Sequence, residues 1–569
     1  MTRLGLSLCI FLALAVRWAC AGEVKVMSHE PVRVCVVDAL TKVLPDTRVT
    51  ESSNTLRVDA VRNEYESAQF VVTPTVDVAN LTVKIGAISG PSRVAPRVSS
   101  NFLGFIHIEK GTPDTPDDYL IAKPPADIPD VIMEGDSVDV NSGKNQPVWL
   151  TVYVPKKASP GTYKCDIEVY GEFLGAPGVS KREKMAVIPL EIHVSPVVLP
   201  DERTLYVTNW FSPGNIAKFH GLEMWSEPWW KMLEAYARCM AEHRQNVVIT
   251  PIMQLITVRY DSSGNRQIDF SKFDRWVGLF KKAGVIGYIE GSHLGGRGEW
   301  EAPDFDAAWP TIVNPDGSIQ PNPGVKTTSQ EEREFLSWFL PALQEHLEEM
   351  GWLDIYFQHL ADEPISQNAE SYKKLAAYVR EFAPKLRIID AAMCNEIAGA
   401  IDIWVPQPQH YENDIKFFTE RRAAGDEIWF YTCLSPRGKY VNRFLDFQLI
   451  RTRLTHWINF KFDLKGFLHW GFNYWRGDPW TDLQSDWLPP GDSHIVYPGK
   501  RGPMTSIRLE AMRDGIEDFE LLKLLERKDK KKARMICDSV IRSMTDYTMD
   551  PGEFRHARET LINALEETL

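Results

Sequence analysis

A chain of 569 residues with 44% hydrophobic content carries enough apolar mass for two sizeable cores, so two or three domains are expected. A formal charge of -13 and a pI near 5.6 argue against nucleic acid as a partner, because a phosphate-binding surface needs a local excess of Lys and Arg. The one basic run, residues 528–534, is broken by Asp529 and reads as the wet face of a helix.

The chain opens with Arg3, an apolar stretch over residues 4–16 and then Ala19-Cys20-Ala21, the pattern of a secretion signal cleaved before Gly22. Residues 1–21 are expected to be a signal peptide, with export to the periplasm or the cell exterior. Cys20 raises lipid attachment as an alternative, which Arg17 and Trp18 fit poorly. No other apolar stretch is long enough to span a bilayer, so the mature chain is expected to make no stable membrane insertion. Apart from Cys9 and Cys20, the cysteines (Cys35, Cys165, Cys239, Cys394, Cys433 and Cys537) are scattered singly. With no Cys-x-x-Cys or His-Glu-x-x-His spacing, neither a metal site nor a dense disulfide framework is indicated.

Residues 22–200 alternate apolar and polar side chains in short segments between turn residues, the pattern of half-buried antiparallel strands and hence of a β-sandwich. Val32, Val34 and Val36 alternate, as do Leu81, Val83 and Ile85. The clearest hairpin pairs Val148, Leu150, Val152 and Val154 with Tyr163, Cys165, Ile167 and Val169 across Ser159-Pro160-Gly161. A strand over 188–194 leads into Pro196 and Pro200, a plausible linker.

Residues 201–525 change rhythm to a short apolar strand followed by a longer helical segment, repeated, which calls for parallel strands and crossover helices. Eight strands are predicted, over 205–210, 246–250, 285–290, 354–360, 386–391, 402–405, 428–432 and 466–470, with helices over 227–243, 271–283, 329–350, 367–382, 442–460 and 504–525. Eight such units close into a (β/α)8 TIM barrel, with one helix reduced or missing over 392–401. Residues 526–569 read as a C-terminal helical extension.

The fourth strand ends in Ala361-Asp362-Glu363-Pro364. Pro364 has no donor to extend a ladder and biases Glu363 to an extended conformation, so both acids belong at the strand's C-terminal rim, where barrel enzymes gather catalytic groups. The plainer alternative is an Asp capping the next helix beside a solvated Glu. Tryptophan distribution favours chemistry: of 18, all but Trp18 and Trp149 fall in the barrel half. Trp470, Asn473, Tyr474, Trp475 and Trp480 crowd the end of strand eight, and such interleaved aromatic and polar groups suit a sugar ring with its flat CH faces and hydroxyls.

Glycosidases with two carboxylates flanking the bond generally draw them from different strands, about 5 Å apart for retention and wider for inversion. Adjacent acids suggest another division of labour. If the sugar carries a 2-acetamido group, its carbonyl oxygen attacks the anomeric carbon; one ionised acid then orients the acetamido N–H while the other protonates the leaving oxygen and later activates water. Asp362 takes the first role and Glu363 the second, since like charges this close push their pKa values apart.

With these features the chain resembles the family 123 glycoside hydrolases. The resemblance rests on Ala361-Asp362-Glu363-Pro364, on Trp470-Gly471-Phe472-Asn473-Tyr474-Trp475, on Gly491-Asp492 with Tyr497-Pro498-Gly499, and on the run from Arg508-Leu509-Glu510 to Glu517-Asp518. It implies an N-terminal β-sandwich, a (β/α)8 barrel, and exo-acting, retaining, substrate-assisted release of terminal β-linked N-acetylgalactosamine (GalNAc) from a glycolipid or glycoprotein glycan, with Asp362 and Glu363 as the catalytic pair. Candidate substrate contacts are Asn209 and Trp210 after strand one, His293 after strand three, Asn395 after strand five, Tyr411 or Tyr431 for the acetamido carbonyl, Trp470, Asn473 and Trp475, and Asp492 and Tyr497 in the loop after strand eight. The charges of 508–518 read as helical ion pairs at three- and four-residue spacing. No metal or cofactor is required. Alternatives are a β-N-acetylglucosaminidase or broad hexosaminidase, a double displacement using Glu363 and a distant carboxylate, and a carbohydrate-binding barrel without catalysis.

Overall fold

The structure, a computed structural model, describes residues 27–28, 31–49, 55–174, 182–480 and 488–569; the expected signal peptide lies outside them. The N-terminal region is all-β. One five-stranded sheet runs Val32–Val37, Glu64–Pro74, Gln146–Val154, Arg97–Ile108, Ala126–Ile132, every pair antiparallel. The facing sheet is built on Glu183–Val198 and Gly161–Phe173, extended by Val78–Ile85, Ser137–Val140 and Met27–Ser28, with Leu56–Arg62 added in parallel.

The expected hairpin between 148–154 and 163–169 is not present. Gln146–Val154 pairs within the first sheet and Gly161–Phe173 within the second. Their apolar residues, Val148, Leu150, Val152 and Val154 on one side and Tyr163, Cys165, Ile167 and Val169 on the other, meet face to face in one core. Strands that face each other across a sandwich carry the same inward alternation as strands paired edge to edge, and the connecting residues cross from sheet to sheet.

The second region is α/β. Its strands are β1 (Tyr206–Asn209), β2 (Val247–Thr250), β3 (Tyr288–Gly291), β4 (Tyr356–Gln358), β5 (Arg387–Ala391), β6 (Ile403–Val405), β7 (Phe430–Thr432) and β8 (Gly466–His469). All pair in parallel, β2 to β6 sequentially in one ladder and β7–β8–β1 in another. The ladders meet where Trp429 N donates to Trp404 O at 2.8 Å and Tyr431 N to Pro406 O at 3.1 Å. Between β1 and β2 no ladder forms among the described strands. Asn246 bridges them instead, donating from its backbone to Val207 O at 3.2 Å and accepting from Val207 N on Oδ1 at 2.9 Å.

The principal helices are α1 (Glu227–Glu242), α2 (Ser271–Ala283), α3 (Gln330–Glu349), α4 (Ala369–Phe382), α5 (Ile415–Ala423), α6 (Leu449–Phe462) and α7 (Ile507–Glu526). Ser226, Ser329 and Ser506 start α1, α3 and α7 by accepting the backbone N–H three residues further on. No helix follows β5 among the described residues; 392–402 cross to β6 by turns, as the short connection implied. Two further helices, α8 (Lys530–Val540) and α9 (Pro551–Glu566), complete the chain. No described helix is long and apolar enough to cross a membrane.

Helix α7 joins the two regions. Within residues 508–518 Glu510 and Arg513 pair at three-residue spacing, at 2.6 Å, but most of the charges there reach outward instead. Arg508 grips Asp130 of the sandwich through Nε and Nη2, both at 2.9 Å, and Asp518 holds Arg453 of α6 at 2.8 Å. Arg453 also reaches Glu66 of the sandwich at 2.7 Å, and Arg558 of α9 ties Asp518 at 3.0 Å to Glu64. Gly515 lets α6 and α7 approach, since a Cβ there would stand 2.3 Å from Arg453 O. Trp149, the one tryptophan of the sandwich, packs here against Leu449, Ile507 and Ala511. Removing one member of a buried ionic cluster strands its partners, so Arg453→Ala is expected to cost about 3–5 kcal/mol. A denaturant midpoint equal to wild type would refute that role.

Candidate active site

Parallel strands deliver their C-terminal ends to one rim, and residues following β1, β3, β4 and β8 converge there. Trp210, Ser292, His293, Asp362 and Tyr474 line a pocket of about 400 Å3, with Met253 and Gln254 on the β2 side. A larger cavity of about 590 Å3 lies between sandwich strands and α9 and contains neither paired acid.

The expected extended backbone at Glu363 is not found: its φ is 47°, in the left-handed region. Along an extended chain adjacent side chains point to opposite faces, which would carry the second carboxyl away from the first. The left-handed turn breaks that alternation. Glu363 thereby receives a hydrogen bond from the Tyr431 hydroxyl of β7, while Asp362 faces the pocket with half of its side chain exposed. Such a backbone costs about 1–3 kcal/mol for a non-glycine residue and persists where neighbouring contacts hold it.

Behind Asp362 lies a fully buried chain of ionised groups. His359 of the β4 end hydrogen-bonds through Nδ1 to Asp390 Oδ1 at 2.7 Å and through Nε2 to Glu290 Oε1 at 2.8 Å. Asp390 also accepts from Leu360 N at 2.9 Å and from the Tyr372 hydroxyl at 2.6 Å. Glu290 accepts from Thr208 Oγ1 at 2.6 Å and from Trp210 Nε1 at 2.7 Å, which fixes the indole in the pocket wall. Burial opposes a charge on His359, but its two carboxylate partners outweigh that and push it up to about 10. The His359 ring thus stands between the side chains of Asp390 and Glu290 beneath the pocket floor.

Recess from bulk water, then the like charges of Glu363 and Asp390, push the carboxyl of Asp362 up to about 7, against the opposing pull of charged His359 and of Arg297. Glu363 is also raised, by burial, with the Tyr431 hydrogen bond and the nearby Arg297 pulling the other way. His293 lies 3.9 Å from Asp362 and 3.6 Å from Asp390, and burial beside charged His359 holds it far below the ordinary histidine range, hence neutral. His293, His359 and Asp390 are near enough to present three ligand atoms to a metal, but both nitrogens of His359 are taken by carboxylates, so it has no lone pair to offer.

Of the residues singled out from sequence, Asp362, Glu363, Trp210, His293 and Tyr431 stand at this rim. Trp470 packs on Tyr474 at 5.3 Å and donates to buried Asp492 at 3.1 Å, forming the layer behind the wall. The others are committed elsewhere. Asn209 is buried between Gln245 and Arg443, and Asn395 bonds His410 and Asp414. Tyr411 stacks on Phe418, and Asn473 ties the backbone of Ser212 at 2.7 and 3.2 Å. Trp475 donates to Val496 O, and Tyr497 donates to Asp130 of the sandwich at 2.7 Å. Glu290, His359, Asp390 and Arg297 were not singled out. Polar residues inside apolar strands are the signal that marks the first three; nothing in the sequence marks Arg297.

The sequence profile of the glycoside hydrolase 123 catalytic domain matches residues 210–525, more than half of the chain, and that of the glycoside hydrolase 123 N-terminal domain matches 41–171. Paired acids at the mouth of an aromatic pocket, in a domain of this kind, define a glycoside hydrolase. The chain belongs to glycoside hydrolase family 123. Among solved structures it is similar to a family 123 glycoside hydrolase from Clostridium perfringens studied for glycolipid glycan hydrolysis, with 19% identity, a TM-score of 0.72, and coverage of 94% of this chain and 97% of that one. A family 5 mannosidase from Rhizomucor miehei is far more distant, at 12% identity and a TM-score of 0.32, covering 57% of this chain and 94% of that one. A search of curated proteins finds no match to the sequence.

The raised carboxyl of Asp362 has a stability signature. With a folded pKa of about 7 against 3.8 when free, the folded state holds its proton more tightly, so stability is lost as pH rises through that window. Asp362→Asn removes the ionisation and is expected to melt higher than wild type near pH 8, with the advantage gone near pH 4. Equal gains at both pH values would mean the carboxyl is not raised.

Proposed function

We propose that this protein is an exported, exo-acting, retaining β-N-acetylgalactosaminidase whose substrate's own acetamido group is the nucleophile. The observation that carries this reading is the turn at Glu363: it brings two sequence-adjacent carboxyls to one rim, an arrangement that suits one acid steering the acetamido group beside one proton donor. In the first step the acetamido oxygen bonds to the anomeric carbon and the glycosidic bond breaks, its oxygen leaving with the proton of Glu363. Asp362 accepts the acetamido N–H and balances the positive charge that develops on the oxazolinium. Water then attacks the same carbon, yields its proton to Glu363, and the acetamido group is released with configuration retained. Tyr431, the candidate tyrosine beside the pair, donates its hydroxyl to Glu363 and in this reading turns to the acetamido carbonyl when the sugar binds.

The catalytic domain is read as a (β/α)8 barrel closed at its first seam by Asn246. GalNAc as the sugar follows the family resemblance. A glycolipid or glycoprotein glycan as the source is in keeping with the Clostridium perfringens relative, studied for glycolipid glycan hydrolysis.

Glu363→Gln is expected to lower kcat on a chromogenic β-GalNAc glycoside by about 10²–10⁴-fold. Wild type should be inhibited by a thiazoline mimic of the oxazolinium and should leave the matching β-galactoside untouched. Turnover of that galactoside, which lacks the acetamido group, would sink substrate assistance; faster turnover of the β-N-acetylglucosamine glycoside would reassign the sugar.

The pH profile supplies a separate check. Asp362 must be ionised to accept the N–H, so the acid limb of kcat/KM should fall near the pKa of about 7 it has in the free site. A bound N–H stabilises the carboxylate, so the acid limb of kcat should lie lower. Coincident limbs would remove Asp362 from that role.

A further inference from the structure

The imidazole of His293 carries a buried polar atom without a partner. Its Nε2 is closed off from solvent, makes no hydrogen bond, and stands between two carboxyls, 3.6 Å from Asp390 Oδ1 and 3.9 Å from Asp362 Oδ1. A group left in that state costs free energy unless something completes it. Facing two acceptors, Nε2 carries the ring's proton. We propose that His293 is a positioning residue that donates Nε2–H to one oxygen of the Asp362 carboxylate and leaves the other oxygen for the acetamido N–H of the sugar; this deepens, and rests on, the substrate-assisted reading above.

The ring is held and the acid is not. Ser292 N donates to Thr250 O at 2.9 Å, Leu294 N to His359 O at 3.2 Å and Gly295 N to Leu360 O at 2.9 Å, so the backbone on either side of His293 is stitched to β2 and to the end of β4. Its ring meets Trp210 edge to face with centroids 5.3 Å apart, and His359 lies against it at 4.7 Å. Asp362 has half of its side chain exposed, and a small turn about its own bonds closes the 3.9 Å gap. Asp390 is already committed: its Oδ1 accepts from His359 at 2.7 Å and its Oδ2 from Leu360 N and the Tyr372 hydroxyl. A hydrogen bond to the charged form of a carboxyl favours that form. Asp362 needs the help, since Glu363 and Asp390 oppose its ionisation and only His359 and Arg297 assist it among the described charges. Tyr431, Cys433 and Tyr474 also face it, but burial raises all three and keeps them neutral below pH 8. His293 is neutral as well, so replacing it removes a donor and not a charge.

The test uses the full-length protein. His293→Phe keeps a ring against Trp210 but lacks the N–H, His293→Leu stands in should phenylalanine fold poorly, and His293→Gln restores an amide N–H near the place of Nε2. On a chromogenic β-GalNAc glycoside the acid limb of kcat/KM should move up by about one pH unit in the first two, which is about a tenfold loss below the limb, and His293→Gln should recover most of it. A limb that stays in place while KM rises would make His293 a contact to the sugar and overturn the positioning role. Melting requires no turnover. At pH 8 Asp362→Asn should raise the melting temperature more in the His293→Phe background than in wild type, by about 1–2 °C; at pH 4, where the carboxyl is protonated in both, the two gains should match. Matching gains at both pH values overturn the proposal, and glycoside turnover would then leave the substrate-assisted reading standing. A coupling confined to pH 8, in a protein that cleaves no β-GalNAc glycoside, would uphold the hydrogen bond between His293 and Asp362 and sink the reading it serves.

Discussion

The charged imidazole of His359, held between Asp390 and Glu290, is the interaction on which the site is built. It binds the ends of β3, β4 and β5 to one another three residues before Asp362. A buried ion is tolerated only when its partners satisfy it, and here the carboxylates are themselves satisfied by Tyr372, Leu360 N, Thr208 and Trp210. The same chain fixes a wall of the pocket through the Trp210 indole and sets the carboxyl of Asp390 behind Asp362. Positioning and electrostatics therefore have a single source. Altering any member would shift the indole and the acid together.

A second set of charges joins the sandwich to the chemistry. Asp130 holds Arg508 and Tyr497; Arg508 in turn donates to the carbonyls of Arg443 and Gly491 at 3.0 and 2.9 Å. Arg443 then reaches Asn209 of β1 and His469 of β8. Through these contacts the sandwich fixes the loop that carries Asp492 and, with it, Trp470. The N-terminal region serves as a buttress, with Trp149 buried against α6 and α7 where no glycan could stack on it.

The strands of the α/β region were legible to within a few residues because each is a short apolar run ended by turn residues. The sandwich was legible as a class but not in its pairing: inward alternation at 148–154 and 163–169 says that both strands face a core, not whether they face it from one sheet or two. The acids at 362 and 363 were legible from their place at a strand end, as were Trp210, His293 and Tyr431. Asn209, Asn473, Trp475 and Tyr497 carried the same positional signal, yet their side chains turn to the backbone and to the sandwich, and only the register of distant segments decides that. The His359 chain needed the register of three strands to be seen. The proline rule misjudged Glu363 because a local bias of the residue before proline yields when tertiary contacts demand a different turn.

Glu363 occupies a backbone state that glycine or asparagine would adopt with less penalty. Catalysis and comfort thus pull on this position in opposite directions. In a lineage released from the need to cut glycans, selection for thermal robustness alone would favour replacing this glutamate before its aspartate neighbour. Decommissioned descendants of this enzyme should therefore be recognisable by Asp-Gly or Asp-Asn ahead of the proline.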